Sequence, residues 1–250
     1  MTTTKSRSNS FRTGAAYIWR GFGLIRQPQI RVFVIIPLLI NIVLFSAGIV
    51  CFAIGIDYVL DNLLPSWLSW LRYLLWPLFA MASLIIVFYG FSILANLVAS
   101  PFNGLLSAAV ERHLTGHTND TPFTWAAVGR EVLRTVGAEL RKLAYFTLWA
   151  LPCLILFIIP GINLIAVPLW FVFGAWMMAI EYVDCPLGNH ARPFPAVKQV
   201  LRERRKLALG FGSTVMALTM IPIANFFAMP VGVAAATALY IDELAPEFQT

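Results

Sequence analysis

The chain has 250 residues, of which 59% are hydrophobic and 12% charged, and its formal net charge is +6 at pH 7. Soluble domains carry roughly 25% charged residues, so this composition excludes an ordinary soluble protein. It predicts an all-α integral membrane protein. The positive charge suits anionic lipid, an anionic solute or nucleic acid. Because the basic residues flank apolar segments and do not form a polar domain, we expect no nucleic-acid binding.

Four apolar blocks follow a basic N-terminal segment over residues 1–31. Blocks 32–56 and 74–99 are unbroken, and each can cross a hydrocarbon core of about 30 Å as a helix. Blocks 143–180 and 207–241 are longer, but prolines divide each into arms of roughly 15 to 19 residues, which are short for a full span. We therefore expect two long transmembrane helices and two Pro-broken, part-penetrating helical hairpins. The alternative is that each hairpin makes two tight crossings.

The two interruptions share the pattern I-P-x-x-N-x-x-A-x-P, which begins at Ile159 and again 62 residues later at Ile221. Proline lacks a backbone donor and clashes with the preceding turn, so each apolar run must bend or break there. Matched breaks in two membrane segments indicate a transport pathway. The alternative is an unrelated recurrence of prolines in two hairpins. The pattern places one asparagine, Asn163 or Asn225, near each hairpin tip.

Between the second and third blocks, residues 100–142 form an expected cytoplasmic helical segment. Within 124–143, one helical face is apolar and the others carry charge. This amphipathic pattern predicts a helix that lies at the membrane surface or packs on a neighbouring subunit. The apolar face comprises Val128, Val132, Val136, Leu140 and Leu143.

Basic residues predict the orientation of the chain in the membrane. With two spans and two returning hairpins, Arg72 alone among the 18 Lys and Arg residues falls in the outer segment 57–73. The positive-inside rule makes the other face cytoplasmic. We therefore expect a multi-pass membrane protein whose basic loops face the cytoplasm.

Motifs for catalysis or cofactor binding are absent from the sequence. It contains no G-x-x-x-x-G-K-[ST] loop for ATP and no H-E-x-x-H metal motif. The interiors of the four apolar blocks contain no Asp, Glu, Lys, Arg or His, which argues against a proton relay through the core. We expect no enzyme activity, no cofactor, no metal and no ATP binding.

One polar cluster follows the third apolar block. Its carboxylates and imidazole could form a general acid–base pair, but no nucleophile or metal set accompanies them. Pro186 and Gly188 favour a rigid, hydrogen-bonded loop with a structural or regulatory role. The members of the cluster are Glu181, Asp184, Asn189 and His190.

The entry to the first span carries cations beside a helix start. Pro28 suits the first turn of a helix, where the following amides lack partners within the helix. Such amides together with the guanidinium of Arg31 could bind an oxyanion. Arg26 and Arg31 could equally anchor the chain at lipid headgroups. The residues leave both interpretations open.

Several motifs together resemble the CysZ family of bacterial inner-membrane sulfate permeases, over nearly the whole chain. They include Q-P-x-I-R-x-F from residue 27, P-L-L-x-N from 37, L-L-W-P-L from 74, S-P-F-N-G-L-L from 100 and L-T-G from 114. The Y-x-D-x-P-x-x-N-H run from residue 182 and both Pro hairpins complete the set. The resemblance implies a channel-like, oligomeric sulfate transporter that supplies cysteine biosynthesis.

The resemblance also implies a sulfate site at the start of the first span, in a Gly-Leu/Ile-Arg-Arg turn. Arg31 matches the first arginine and Ile30 the apolar position, whereas Gln29 replaces the glycine and Val32 the second arginine. Losing one guanidinium removes a contact of very roughly 1.5–3 kcal/mol, for which Arg26 could partly compensate.

Amides and one carboxylate are candidates for lining the pathway. An asparagine offers donors to an oxyanion without a trapping charge, although a hydrogen bond between helices is an equally good role. Glu111 is the carboxylate near Ala108, a position where the family often has Glu. The candidates are Asn41, Asn103, Glu111, Asn163 and Asn225.

The expected partners are sulfate, the lipid bilayer and further copies of the chain. We interpret the protein as a sulfate permease for sulfur assimilation without its own ATPase. The alternative is a membrane scaffold that binds another complex through its cytoplasmic helices. A membrane enzyme centred on Asp184 and His190 is a more distant alternative.

Overall fold

The computed structural model describes residues 9–63, 76–78, 80–81, 85, 102–116 and 125–245, and these residues contain no β-strand. The all-α fold predicted from composition is confirmed. The second expected span, over 74–99, lies almost entirely outside the described residues. The helices are α1 (Phe11–Ile25), α2 (Pro28–Leu63), α3 (102–115), α4 (Trp125–Ile158), α5 (Asn163–Asn189), α6 (Phe194–Glu203), α7 (Arg205–Met220) and α8 (Pro222–Leu239), and the π-helical turn Tyr240–Leu244 continues α8.

The chain forms two compact units. The first contains Met1–Arg31 and Asn103–Thr250, and the second contains Val32–Phe102. In the first unit, α1 packs against α7 and α8, and α5 packs against α4, α7 and α8. Its core is rich in small side chains: residues 231–239 of α8 are all buried, and five of them are alanine or glycine.

Glycines allow these helices to approach closely. A Cβ atom at Gly14 of α1 would collide with the carbonyl oxygen of Leu207 on α7, and one at Gly212 of α7 would collide with the carbonyl of Ala175 on α5. Small residues at helix crossings bring backbones together, which is how membrane helices associate without a hydrophobic driving force. α7 is therefore held between α1 and α5 by backbone contact.

Each proline motif breaks its apolar run where the sequence predicted. α4 ends at Ile158 and α5 begins after a turn over 159–162, whereas Ile221 alone separates α7 from α8. The difference follows from the residue after each proline. Gly161 adopts φ +84°, a left-handed conformation that glycine enters without penalty, and so extends the first turn. Ile223 occupies the corresponding position in the second motif, and there Pro222 starts the helix directly.

α4 and α5 form an antiparallel hairpin. Ring contacts join Phe146 to Phe173 (centroids 5.4 Å apart) and Phe157 to Trp170 (6.2 Å). As residue numbers rise along α4, the partners' numbers fall along α5. The two helices therefore run in opposite directions alongside each other.

Four helical stretches are long and apolar enough to cross a membrane: Pro28–Cys51, Glu139–Ile158, Asn163–Asn189 and Pro222–Leu244. The arms of the first hairpin are thus longer than the sequence blocks indicated, at 20 and 27 residues, which favours the alternative of full crossings there. α7 has 16 residues and is about 24 Å long, short of the core. Part-way penetration stays a prediction for the second hairpin.

Three expected boundaries shift in the structure. α4 runs through residue 142 without interruption, so residues 125–142 of the expected cytoplasmic segment and the first hairpin arm form one helix of 34 residues. α2 continues to Leu63, past the expected end of the first span at residue 56. Residues 181–189 belong to α5, so the prediction of a loop there was wrong. Burial of Val183, Pro186 and Leu187 outweighs the local tendency of proline and glycine to break the helix.

Candidate functional site

The predicted anion site lies at a two-residue turn between α1 and α2. α1 ends at Ile25 and α2 begins at Pro28, so Arg26 and Gln27 make the whole connection. The Gln27 amide donates to the Leu24 carbonyl at 3.0 Å, which closes the turn. Proline at the first helical position has the backbone angle that a helix start requires, and this explains the sharp restart.

Ile30 does not face a solute. Its side chain is fully buried, with 0% exposure, and its amide donates to the Gln27 carbonyl at 3.0 Å. The Arg31 amide donates to the same carbonyl at 2.9 Å. The Gln27 carbonyl thus caps the helix and accepts from both donors, so these two amides already have an acceptor within the chain. Among the described residues, the Gln29 amide has no acceptor.

Exposed side chains surround this helix start. Arg26, Gln29 and Arg31 are exposed, and Val32 is 46% exposed. The carboxyl end of α1 adjoins the amino end of α2, so their opposite partial charges offset each other in part. Attraction for an anion therefore comes from the two guanidinium groups, with the Gln29 amide as an oriented donor.

The two motif asparagines lie at equivalent places. Asn163 is the first residue of α5, and Asn225 lies in the first turn of α8. Both are exposed, and three residues later Ala166 and Ala228 are both buried. The repeat thus has the same inner and outer faces in each hairpin. Asn41 lies within α2, and its side chain is outside the described part of the chain.

Two predicted groups that are distant in sequence come together. The Asn189 Nδ2 atom donates to the Gly104 carbonyl at 2.9 Å, and His190 Nε2 lies 2.9 Å from Glu111 Oε1. The start of α3, where Asn103 is half-buried, therefore lies against the end of α5. Glu111 is therefore paired with His190 and is not an unpaired carboxylate on a pathway.

A buried lysine cluster was missed by the sequence reasoning. Lys142 on α4 is 5% exposed, and its ammonium lies 2.6 Å from Glu139, 3.0 Å from Glu181 and 3.2 Å from Asp184. The pair Glu139 and Lys142 and the pair Glu181 and Asp184 each have the i,i+3 spacing of one helix face. This spacing is visible in the sequence and could have indicated the ion pairs. The expected third apolar block begins at residue 143, however, so Lys142 lay outside it. Glu181 and Asp184 thus join α5 to α4 and do not close a loop.

A second missed cluster fixes α1. The Tyr17 hydroxyl donates to Asp242 Oδ2 at 3.0 Å, and the Arg20 guanidinium pairs with the same oxygen. Burial, followed by the charge of Asp242, raises the pKa of Tyr17 well above its ordinary value. The tyrosine therefore stays a neutral donor. Through Asp242, α1 is attached to the π-helical turn at the end of α8.

Comparison with known proteins shows the family of this chain. Residues 17–230 match the family described as "Sulfate transporter CysZ/Etoposide-induced protein 2.4". The chain is 42% identical to the sulfate transporter CysZ of Pseudomonas aeruginosa over 235 residues, which cover 92% of this chain and 95% of that protein. It is also 42% identical to the protein of the same name from Salmonella typhimurium over 236 residues, covering 92% of both chains. The chain belongs to the sulfate transporter CysZ/etoposide-induced protein 2.4 family.

Proposed function

We propose that this chain carries sulfate across the bacterial inner membrane, as a multi-pass permease without its own ATPase. The relatives that match over nearly their whole length are named sulfate transporters. That name also favours transport over the scaffold alternative and over an enzyme centred on Asp184 and His190. The imported sulfate would serve sulfur assimilation and cysteine biosynthesis, and copies of the chain would assemble into a homo-oligomer.

The observation that carries the proposal is the pair of exposed guanidiniums at the turn between α1 and α2. Arg26 and Arg31 flank the Gln29 amide, so two cationic donors and one neutral donor are available to a dianion. Charge-assisted hydrogen bonds of this type are roughly twice as strong as neutral ones. The exposure of these guanidinium groups also matters, since a transported anion must leave the site again.

The hairpin tips would provide the less polar part of the route. Asn163 and Asn225 each place an exposed amide at a helix start surrounded by exposed apolar residues. An amide can bind an oxyanion without the charge that would trap it. Capture at Arg31 and passage near these amides are therefore separate roles in the proposal.

The proposal is tested by uptake of radiolabelled sulfate into liposomes that contain this protein alone. We expect sulfate accumulation above that of protein-free liposomes, with and without an imposed pH gradient. Liposomes that contain correctly folded protein and take up no more sulfate than empty ones would refute the function.

A further inference from the structure

A basic surface lies where α1 and α7 begin. The Asn9 Oδ1 atom accepts a hydrogen bond from the Leu207 amide at 3.3 Å, and a Cβ at Gly210 would meet the backbone of Phe11. These contacts bring the starts of the two helices side by side. We name this surface the basic rim, and define it by four exposed cationic residues: Arg12, Arg202, Arg205 and Lys206.

Along the run 202–206, basic side chains outnumber acidic ones. Glu203 is the one carboxylate in the run 202–206, and it accepts a hydrogen bond from Gln199 at 3.3 Å. The Arg205 Nε atom donates to the Arg202 carbonyl at 3.2 Å, which holds its guanidinium back over the end of α6. Several positive charges are therefore retained on one exposed surface.

The opposite end of the same hairpin is apolar. Where α7 meets α8, exposed side chains are hydrophobic, including Ile221 (56% exposed), Ile223 (79%) and Phe226 (73%). α7 separates the two ends by about 24 Å. A hairpin with this polarity enters a membrane tip first, which leaves the basic rim among the lipid headgroups.

Exposed aromatic side chains accompany the cations along α1. Phe11 is 50% exposed beside Arg12, and Trp19 is 75% exposed two turns further on. The inner face of α1 is covered by α7 and α8, so these rings face outward from the unit. Tryptophan at the polar–apolar boundary with basic residues nearby is typical of contact with a membrane interface.

We propose that the basic rim binds the headgroups of anionic phospholipids, whose acyl chains lie along the apolar flank of the α7–α8 hairpin. A phospholipid matches both parts of the surface, with its phosphate at the cations and its chains at the exposed apolar residues. A free sulfate ion would match the cations alone. This interaction is separate from the proposed transport and does not depend on it.

The test compares lipid retention by purified wild-type protein and a rim variant that combines Arg202→Gln, Arg205→Gln and Lys206→Gln. Each protein in neutral detergent is titrated with phosphatidylglycerol or phosphatidylcholine, and bound lipid is counted by native mass spectrometry. We expect the wild type to prefer phosphatidylglycerol, and its affinity to fall about fivefold for each cation removed. A second variant, Arg202→Lys with Arg205→Lys, keeps the charge and should retain phosphatidylglycerol like the wild type. It verifies that the surface tolerates substitution.

A control for net charge removes two exposed cations elsewhere, with Arg112→Gln and Arg141→Gln, and is compared with a rim variant that also removes two, Arg202→Gln with Arg205→Gln. The control should keep most of the phosphatidylglycerol binding. Equal retention by the wild type and the rim variant, an equal loss in the control, or equal binding of the two lipids would each overturn the proposal. Displacement of phosphatidylglycerol by millimolar sulfate, but not by chloride of equal ionic strength, would assign the surface to the free dianion and overturn it as well.

Discussion

The Nζ atom of Lys142 lies 3.0 Å from the Oε2 atom of Glu181, so a buried ammonium on α4 is tied to a carboxylate near the end of α5. Glu139 and Asp184 complete the shell around this ammonium. Three carboxylates around one lysine would repel one another without it. The lysine is therefore the residue on which this end of the first hairpin depends.

Replacing Lys142 by Met should destabilise the protein. Removing one partner of a buried ion pair costs roughly 3–5 kcal/mol, and we expect about 2–3 kcal/mol because Glu139 and Glu181 stay about half exposed. Thermal unfolding in detergent measures the loss. Adding Glu181→Gln to Lys142→Met should recover part of it, whereas Arg141→Met, at the exposed neighbouring position, should change little. An unchanged melting temperature in Lys142→Met would contradict the role assigned to the lysine.

Gly212→Val should disrupt the crossing of α5 and α7. The new Cβ would collide with the Ala175 carbonyl, so we expect a loss of more than about 2 kcal/mol. Gly23→Ala is the matched control, because a Cβ there has open space. Gly23→Ala should leave the free energy of unfolding unchanged or raise it by up to about 1 kcal/mol, because alanine has the higher helix propensity. Similar melting temperatures for the two variants would show that the close crossing is not needed.

Tyr17→Phe should remove the hydrogen bond to Asp242 and cost about 1 kcal/mol near neutral pH. The pKa of Tyr17 is raised in the folded state by burial and by Asp242, so its contribution is fully present below the ordinary tyrosine pKa of about 10. It is lost as the pH rises through the higher folded-state pKa. The stability difference between wild type and variant should therefore shrink above about pH 10. A difference that grows in alkali would refute this account.

Arg31→Gln should weaken sulfate binding by about tenfold or more, since a charge-assisted contact contributes roughly 1.5–3 kcal/mol. Isothermal titration with sulfate and initial uptake rates in liposomes measure the effect. Arg112→Gln, which removes an exposed cation from α3, is the control for net charge. If Arg31→Gln and Arg112→Gln both bind sulfate like the wild type, the assignment of Arg31 to the sulfate site is wrong, even if transport itself is confirmed.

Val32→Arg should have the opposite effect. Val32 is 46% exposed beside Arg31, so a longer side chain can be accommodated there, and it would restore the second arginine that the family resemblance implies. We expect sulfate affinity to rise about tenfold. Val32→Gln adds length and polarity without charge and should leave the affinity near that of the wild type. A variant with two adjacent arginines and no gain in affinity would show that position 32 does not face the anion.

The sequence predicted features that depend on local covalent constraints. Proline forced both hairpin breaks, and the motif correctly placed Asn163 and Asn225 at the tips. The helix start at Pro28 was predicted for the same reason. Each of these follows from a residue that restricts its own backbone.

Features that depend on tertiary contact were not predicted. Pro186 and Gly188 indicated a loop, but burial of one helix face keeps the chain helical to Asn189. Ile30 was placed among the anion ligands, yet packing buries it completely. The pairing of Glu111 with His190 joins residues 79 positions apart, for which no local pattern exists.

The position of Lys142 within α4 has a mechanical consequence. The ion pairs hold the helix near its middle, with about 25 Å of helix on either side. If α4 tilted about this point as a rigid body, residues 125–138 and Ile158 would move in opposite directions. A tilt of about 5° would displace the hairpin tip by roughly 2 Å over that arm.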